Sequence, residues 1–238
     1  MKLLRAVFGI GLIAAILCSF PLSLPVNAQE ERSVDWSRIY FLGESTTAHL
    51  RQRGTLLGQY AKSNVFAPDC GTLALSSRTL SQTIRKAGTS EKISIIAAIR
   101  ERKPPVLLLS FGLNGIAGFH RNEKNYLQLY KELIRKIRVE SPDTLLILQT
   151  IYPVAKKQAT WNFTRPPEEI NLWIDSLNER LSELSADDGI PLWDTAALLK
   201  DEAGFLKPEF SADGIHLTSA GYDRILRYIA GKTEVSRQ

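Results

Sequence analysis

Cysteine is nearly absent from this chain: of 238 residues only Cys18 and Cys70 carry a thiol. Cys18 lies in a segment with the features of an export leader. Met1-Lys2-Leu3-Leu4-Arg5 is a short basic start, Ala6 to Phe20 is almost wholly apolar, and Val26-Asn27-Ala28 offers the small residues that a signal peptidase reads. Removal of residues 1–28 would leave Cys70 alone, so no intrachain disulfide could form and the mature domain, residues 29–238, must rest on its hydrophobic core. Leu17 is not the small residue that a lipoprotein signal places before its cysteine. The apolar run is shorter than the roughly 20 residues of a spanning helix and is closed by Pro21, so no stable membrane insertion is expected after cleavage. The expected location is secreted or periplasmic.

An excess of one charge is also missing. The chain has 30 basic and 25 acidic residues, and loss of the leader with Lys2 and Arg5 leaves 28 against 25. So mild and scattered a balance describes a solvated surface and argues against nucleic acid as a partner. Three motifs are absent as well: Gly-x-Ser-x-Gly of the nucleophile elbow, the Gly-x-x-x-x-Gly-Lys phosphate loop, and the His-Glu-x-x-His zinc helix. No metal or organic cofactor is implied. Internal repeats and low-complexity stretches are lacking, and nothing in the sequence sets an oligomeric state.

What is present is an alternation of short apolar runs with amphipathic stretches. Residues 38–42, 64–67, 106–111, 145–151 and 190–193 read as five strands. Between the last two, residues 167–185 carry Ile170, Trp173, Ile174, Leu177, Leu181 and Leu184 at helical spacing, entered by Pro166-Pro167 and left by Asp187-Asp188-Gly189. A final helix after Ser219 places Tyr222, Ile225 and Ile229 on one side and is expected to stop near Gly231. Continuously apolar strands imply a sheet covered on both faces, and alternation with helices implies parallel connections. The fold class expected is α/β: a three-layer α/β/α sandwich with a mostly parallel five-stranded sheet. In such sheets the site lies beyond the carboxyl ends of the strands, near the topological switch point.

Three segments sit at such places. Gly43-Glu44-Ser45-Thr46-Thr47 follows the first strand and sets a hydroxyl where sheet turns into helix, a position in which Ser ordinarily serves as a cap. Gly112-Leu113-Asn114-Gly115 follows the third strand; an Asn there can aim its amide at a developing oxyanion, or simply make a turn. Asp213-Gly214-Ile215-His216 precedes the last helix, and its carboxylate can hold one ring nitrogen of His216 so that the other accepts a proton. His216 alone among the three histidines has a carboxylate at such spacing; His49 and His120 read as surface or supporting residues. Cys70 reads as a buried thiol rather than a nucleophile.

The order Ser, Asn, Asp, His resembles the SGNH/GDSL hydrolase family. Its blocks correspond to Gly43-Glu44-Ser45, Gly71, Gly112-Leu113-Asn114 and Asp213-x-x-His216, spanning nearly the whole mature domain. Two positions depart from the family pattern: Glu44 stands in place of the usual Asp, and Gly115 in place of a second acidic residue. Neither supplies nucleophile, base or oxyanion donor. The resemblance implies a flavodoxin-like fold and a serine carboxylic-ester hydrolase with Ser45, Asp213 and His216 as catalytic residues. It likewise implies an oxyanion hole from the Ser45 and Gly71 backbone N–H groups and the Asn114 side chain. The expected substrate is a small acyl ester, acetyl above all, on a carbohydrate; hydrolysis of lipid or short-chain esters, in the manner of a lysophospholipase, is the alternative. Trp161 and Phe163, in the loop of residues 156–167, are candidates for substrate contact. A reading of another class is a non-catalytic glycan-binding protein that stacks sugars on Trp161, Phe163 and Trp193.

Overall fold

The computed structural model describes residues 34–68, 72–86, 88–157 and 164–235. The expected leader, Cys70, Gly71, Trp161 and Phe163 lie outside the described residues.

Five parallel strands build the main sheet: β1 (Ile39–Gly43), β2 (Val65–Phe66), β5 (Val106–Ser110), β6 (Leu145–Gln149) and β7 (Leu192–Trp193), in the order β2-β1-β5-β6-β7. Counted within the sheet this is 2-1-3-4-5, the flavodoxin-like order. Helices α1 (Ser45–Ala48), α2 (Leu50–Arg53), α3 (Ala61–Asn64) and α8 (Ser219–Val235) cover one face; α4 (Ile95–Arg102), α5 (Ile116–Arg121), α6 (Glu123–Glu140) and α7 (Pro167–Asp188) cover the other. The period-2 geometry of a strand divides the apolar run of β5 between two cores. Leu107 and Leu109 pack with Ile99, Ile134 and Ile174, while Leu108 packs with Tyr222, Ile225 and Ile229.

The boundaries differ from the sequence reading in small, explicable ways. Arg38 belongs to a 3-10 turn, Trp36–Arg38, whose Ser37 N–H is capped by the Asp35 side chain, so β1 opens at Ile39. Helix α7 runs to Asp188 and ends when Gly189 turns left-handed at φ 61°, its N–H returning to the Ser185 carbonyl. Helix α8 passes Gly231, because an exposed glycine weakens a helix without ending it. A short antiparallel hairpin, β3 (Thr83–Arg85) with β4 (Lys92–Ser94), was not anticipated.

The chain leaves β1 for β2 on one side and then crosses to β5 on the other. The switch point therefore lies between β1 and β5, whose last residues, Gly43 and Ser110, are paired. Gly43 is obligatory at this junction: a Cβ would stand 2.4 Å from the Ser110 carbonyl oxygen and 2.2 Å from the Thr47 hydroxyl.

Candidate active site

Ser45 is the first residue of α1, and the cap position before it belongs to Glu44. The Ser45 hydroxyl is thus relieved of capping, and its Oγ lies 3.0 Å from His216 Nε2. The other ring nitrogen, Nδ1, lies 2.7 Å from Asp213 Oδ2. Asp213 Oδ1 accepts the backbone N–H groups of Ile215 (3.1 Å) and His216 (2.8 Å), closing the loop on itself. Burial pushes the Asp213 carboxyl up, but bonds from the His216 ring and from the two backbone N–H groups, with the imidazole charge, hold it below the usual carboxylate range. Ionised Asp213 favours the His216 tautomer with its proton on Nδ1, leaving Nε2 free to take the Ser45 proton.

Residues 171 positions apart meet because three tethers join their segments. Tyr222 of α8 donates its hydroxyl to the Thr46 carbonyl at 2.5 Å. Arg53 donates to the Leu217 carbonyl at 2.7 Å, next to His216. Asp223 takes the Thr55 hydroxyl at 2.6 Å and the Thr55 N–H at 3.0 Å. From the far side Ala155 donates its N–H to the Gly214 carbonyl (2.9 Å), so the segment after β6 braces the loop that carries His216. That segment is itself clasped by α7: Asn178 bonds both the N–H and the carbonyl of Ile151, and Asn171 does the same for Val154.

The loop after β5 is anchored as tightly. Tyr126 and Tyr130 of α6 both donate to the Phe111 carbonyl, and the Tyr130 oxygen accepts the Phe111 N–H. Gly112 then adopts φ 140°, where a Cβ would meet Ile151 at 2.4 Å. Glu44, 2 % exposed, clasps this loop from below, its Oε1 accepting Gly112 N–H (2.8 Å) and its Oε2 accepting Asn114 N–H (2.9 Å). Burial raises the Glu44 carboxyl to about 7, against the lowering effect of the N–H bonds from Gly112, Asn114 and Leu113. The Asn114 side-chain amide donates to the Leu73 carbonyl at 2.8 Å and approaches the Thr72 hydroxyl at 3.2 Å. It therefore bridges its own loop to the residues that follow Gly71. Ser45, first in its helix, has a backbone N–H with no intrahelical carbonyl to bond.

The GDSL-like lipase/acylhydrolase family model matches residues 41–224. The chain belongs to that family, whose members hydrolyse acyl esters. No curated protein matches it. Among solved structures, a GDSL-like lipase from Bacteroides thetaiotaomicron is 19 % identical, with 83 % of this chain and 89 % of that one covered at a TM-score of 0.56. A candidate SGNH hydrolase from Slackia heliotrinireducens is 18 % identical, covering 82 % and 98 %, at 0.57. A candidate acylhydrolase from Bacteroides fragilis is 20 % identical, covering 82 % and 87 %, at 0.53. At such identities the likeness is one of fold.

In this member of the GDSL-like family the structure brings Ser45, Asp213 and His216 into one hydrogen-bonded line and sets Asn114 at the neighbouring strand end. Trp193 is a correction. It is 9 % exposed and sits in the core edge-on to Tyr228 at 6.4 Å, because β7 is a short edge strand covered by α8; it offers no face to a sugar. His120 stacks on Trp173 of α7, centroids 5.1 Å apart. Sequence reasoning missed the clasp by Glu44. The signal was there, an acidic residue directly after an apolar strand, but its burial follows from a loop that begins 68 residues later.

Proposed function

We propose that this protein is an exported serine esterase that hydrolyses small acyl esters, acetyl esters first, through an acyl-enzyme on Ser45. One observation carries the reading: Ser45 Oγ, His216 and Asp213 stand in line at 3.0 and 2.7 Å. His216 Nε2 takes the hydroxyl proton as Oγ attacks the ester carbonyl carbon, and the imidazolium so formed is stabilised by Asp213. The tetrahedral intermediate collapses with that proton passing to the alcohol. Water, deprotonated by the same nitrogen, then releases the acid and restores the serine. The oxyanion would be held by the N–H groups of Ser45 and Gly71 and by the Asn114 amide, which would exchange its 3.2 Å contact with Thr72 for the substrate oxygen. Loss of one such donor costs on the order of 100- to 1,000-fold in turnover. Export rests on the leader-like residues 1–28; among the described residues no helix is long and apolar enough to cross a membrane.

The test is turnover of p-nitrophenyl acetate by the purified protein beside Ser45→Ala. Equal rates from the two would refute the esterase reading and leave glycan binding without hydrolysis. A series of acyl chains from acetate to decanoate, then acetyl release from acetylated polysaccharide, addresses substrate. A rate that climbs with chain length would favour the lipid alternative.

A further inference from the structure

His49 is the one imidazole beside the line of Ser45, His216 and Asp213 that the chemistry above does not use. It lies one turn after Ser45, its N–H bonded to the Ser45 carbonyl at 3.0 Å, and its right-handed backbone carries the helical path on into α2. Ser45, His49 and Arg53 thus share one face, and all three address the same loop. Ser45 meets a ring nitrogen of His216, His49 packs its ring against the same imidazole with centroids 4.3 Å apart and planes tilted by 44°, and Arg53 bonds the carbonyl of the next residue, Leu217. His49 Nδ1 is sealed from solvent and has no hydrogen-bond partner among the described residues. A doubly protonated ring would bury an unpaired N–H at that atom, whereas a neutral ring with its proton on Nε2 avoids it.

We propose that His49 is a positioning residue: it packs a neutral imidazole against the His216 ring, keeps that ring in line with Ser45 and Asp213, and leaves room for positive charge to form on it. This rests on the esterase reading of the site. The groups facing His49 are consistent with neutrality. Burial lowers its affinity for a proton, the neighbouring His216 and Arg53 lower it further, and Asp213 alone opposes them. Tyr222, the titratable group that α8 brings to this helix, stays neutral because burial raises its hydroxyl. An imidazolium on His216 therefore meets no second imidazolium during turnover.

Three variants test this by the pH dependence of kcat and kcat/KM on an acetyl ester. His49→Lys places a fixed positive charge beside the base, and the acid limb should move about one pH unit lower with plateau kcat down roughly tenfold. His49→Ala removes the packing and should lower kcat about tenfold with KM little changed, and His49→Phe, which keeps a flat neutral ring, should restore most of that loss. An acid limb in the Lys variant that coincides with wild type, or an Ala variant with undiminished kcat, overturns the inference. Proton NMR separates this from failure of the esterase reading. With only three histidines in the chain, the His216 ring resonance can be followed without turnover; it should titrate at lower pH in His49→Lys than in wild type, and an unmoved midpoint overturns the inference even if no ester is cleaved.

Discussion

Replacement of Glu44 by Gln should change how stability depends on pH, and the structure sets the size of the change. The carboxyl is buried, and burial raises it from 4.5 to about 7 while the loop N–H groups of Gly112, Asn114 and Leu113 pull the other way. The folded state thus holds this proton more tightly than the unfolded chain. Its contribution to stability is complete below pH 4.5 and is lost as pH rises through 7. A displacement of that size is worth roughly 3 kcal/mol, and most of it falls between pH 5 and pH 8. Gln resembles the protonated carboxyl, with one acceptor oxygen and one hydrogen-bearing atom facing two N–H donors, so the variant should match wild type near pH 5. At pH 8 it should be the more stable by roughly 2–3 kcal/mol. Urea unfolding of both proteins at pH 5, 6, 7 and 8 measures this, and every other titration cancels in the difference. Parallel profiles would mean that Glu44 carries no perturbed proton and that the desolvation argument is wrong. Activity should run in the opposite direction above pH 7, because the ionised carboxylate alone can accept from Gly112 and Asn114 together; loss of one charge-assisted bond, about 1.5–3 kcal/mol, loosens the Asn114 loop and lowers kcat.

Three further outcomes follow from the same contacts. Asp213→Asn presents a donor where His216 Nδ1 needs an acceptor, and should lower kcat roughly 10³- to 10⁴-fold with little effect on KM, read by steady-state kinetics. Asn171→Ala strands the buried N–H and carbonyl of Val154, about 2–4 kcal/mol of stability by urea midpoint, and by freeing the segment after β6 that braces Gly214 it should also depress kcat. Tyr222→Phe removes only the donor to the Thr46 carbonyl and should cost about 1 kcal/mol with a severalfold fall in kcat; an unchanged rate would show that this tether does not hold the nucleophile's helix.

The parts of this molecule that a linear reading reaches are those decided by neighbours in sequence. Val106-Leu107-Leu108-Leu109 can only be a strand covered on both faces, since each successive side chain points to the opposite layer and all are apolar. The same reasoning places Ser45 and Asn114 just beyond β1 and β5, at the switch point, before any contact is known. The β3–β4 hairpin escapes it. Each strand has three residues with a single apolar side chain, Ile84 or Ile93, too few to establish a period of two.

At the site, what escapes is whatever depends on closure over long distances. Glu44 looks like an exposed acid until the loop at 112–114 descends on it, and His49 looks like a surface residue until the loop at 213–217 folds over it. Both belong to the short stretch of residues 43–53, which meets four other parts of the site: Ser110 through Gly43, the Asn114 loop through Glu44, His216 through Ser45 and His49, and Leu217 through Arg53. A segment with so many long-range duties is hard to read by local rules, because its residue types answer to partners that are elsewhere in the chain. It also explains why Glu is tolerated at position 44. The constraint there is an acceptor that spans two backbone N–H groups in a buried space, and the Glu44 carboxylate meets it with one oxygen on Gly112 N–H and the other on Asn114 N–H.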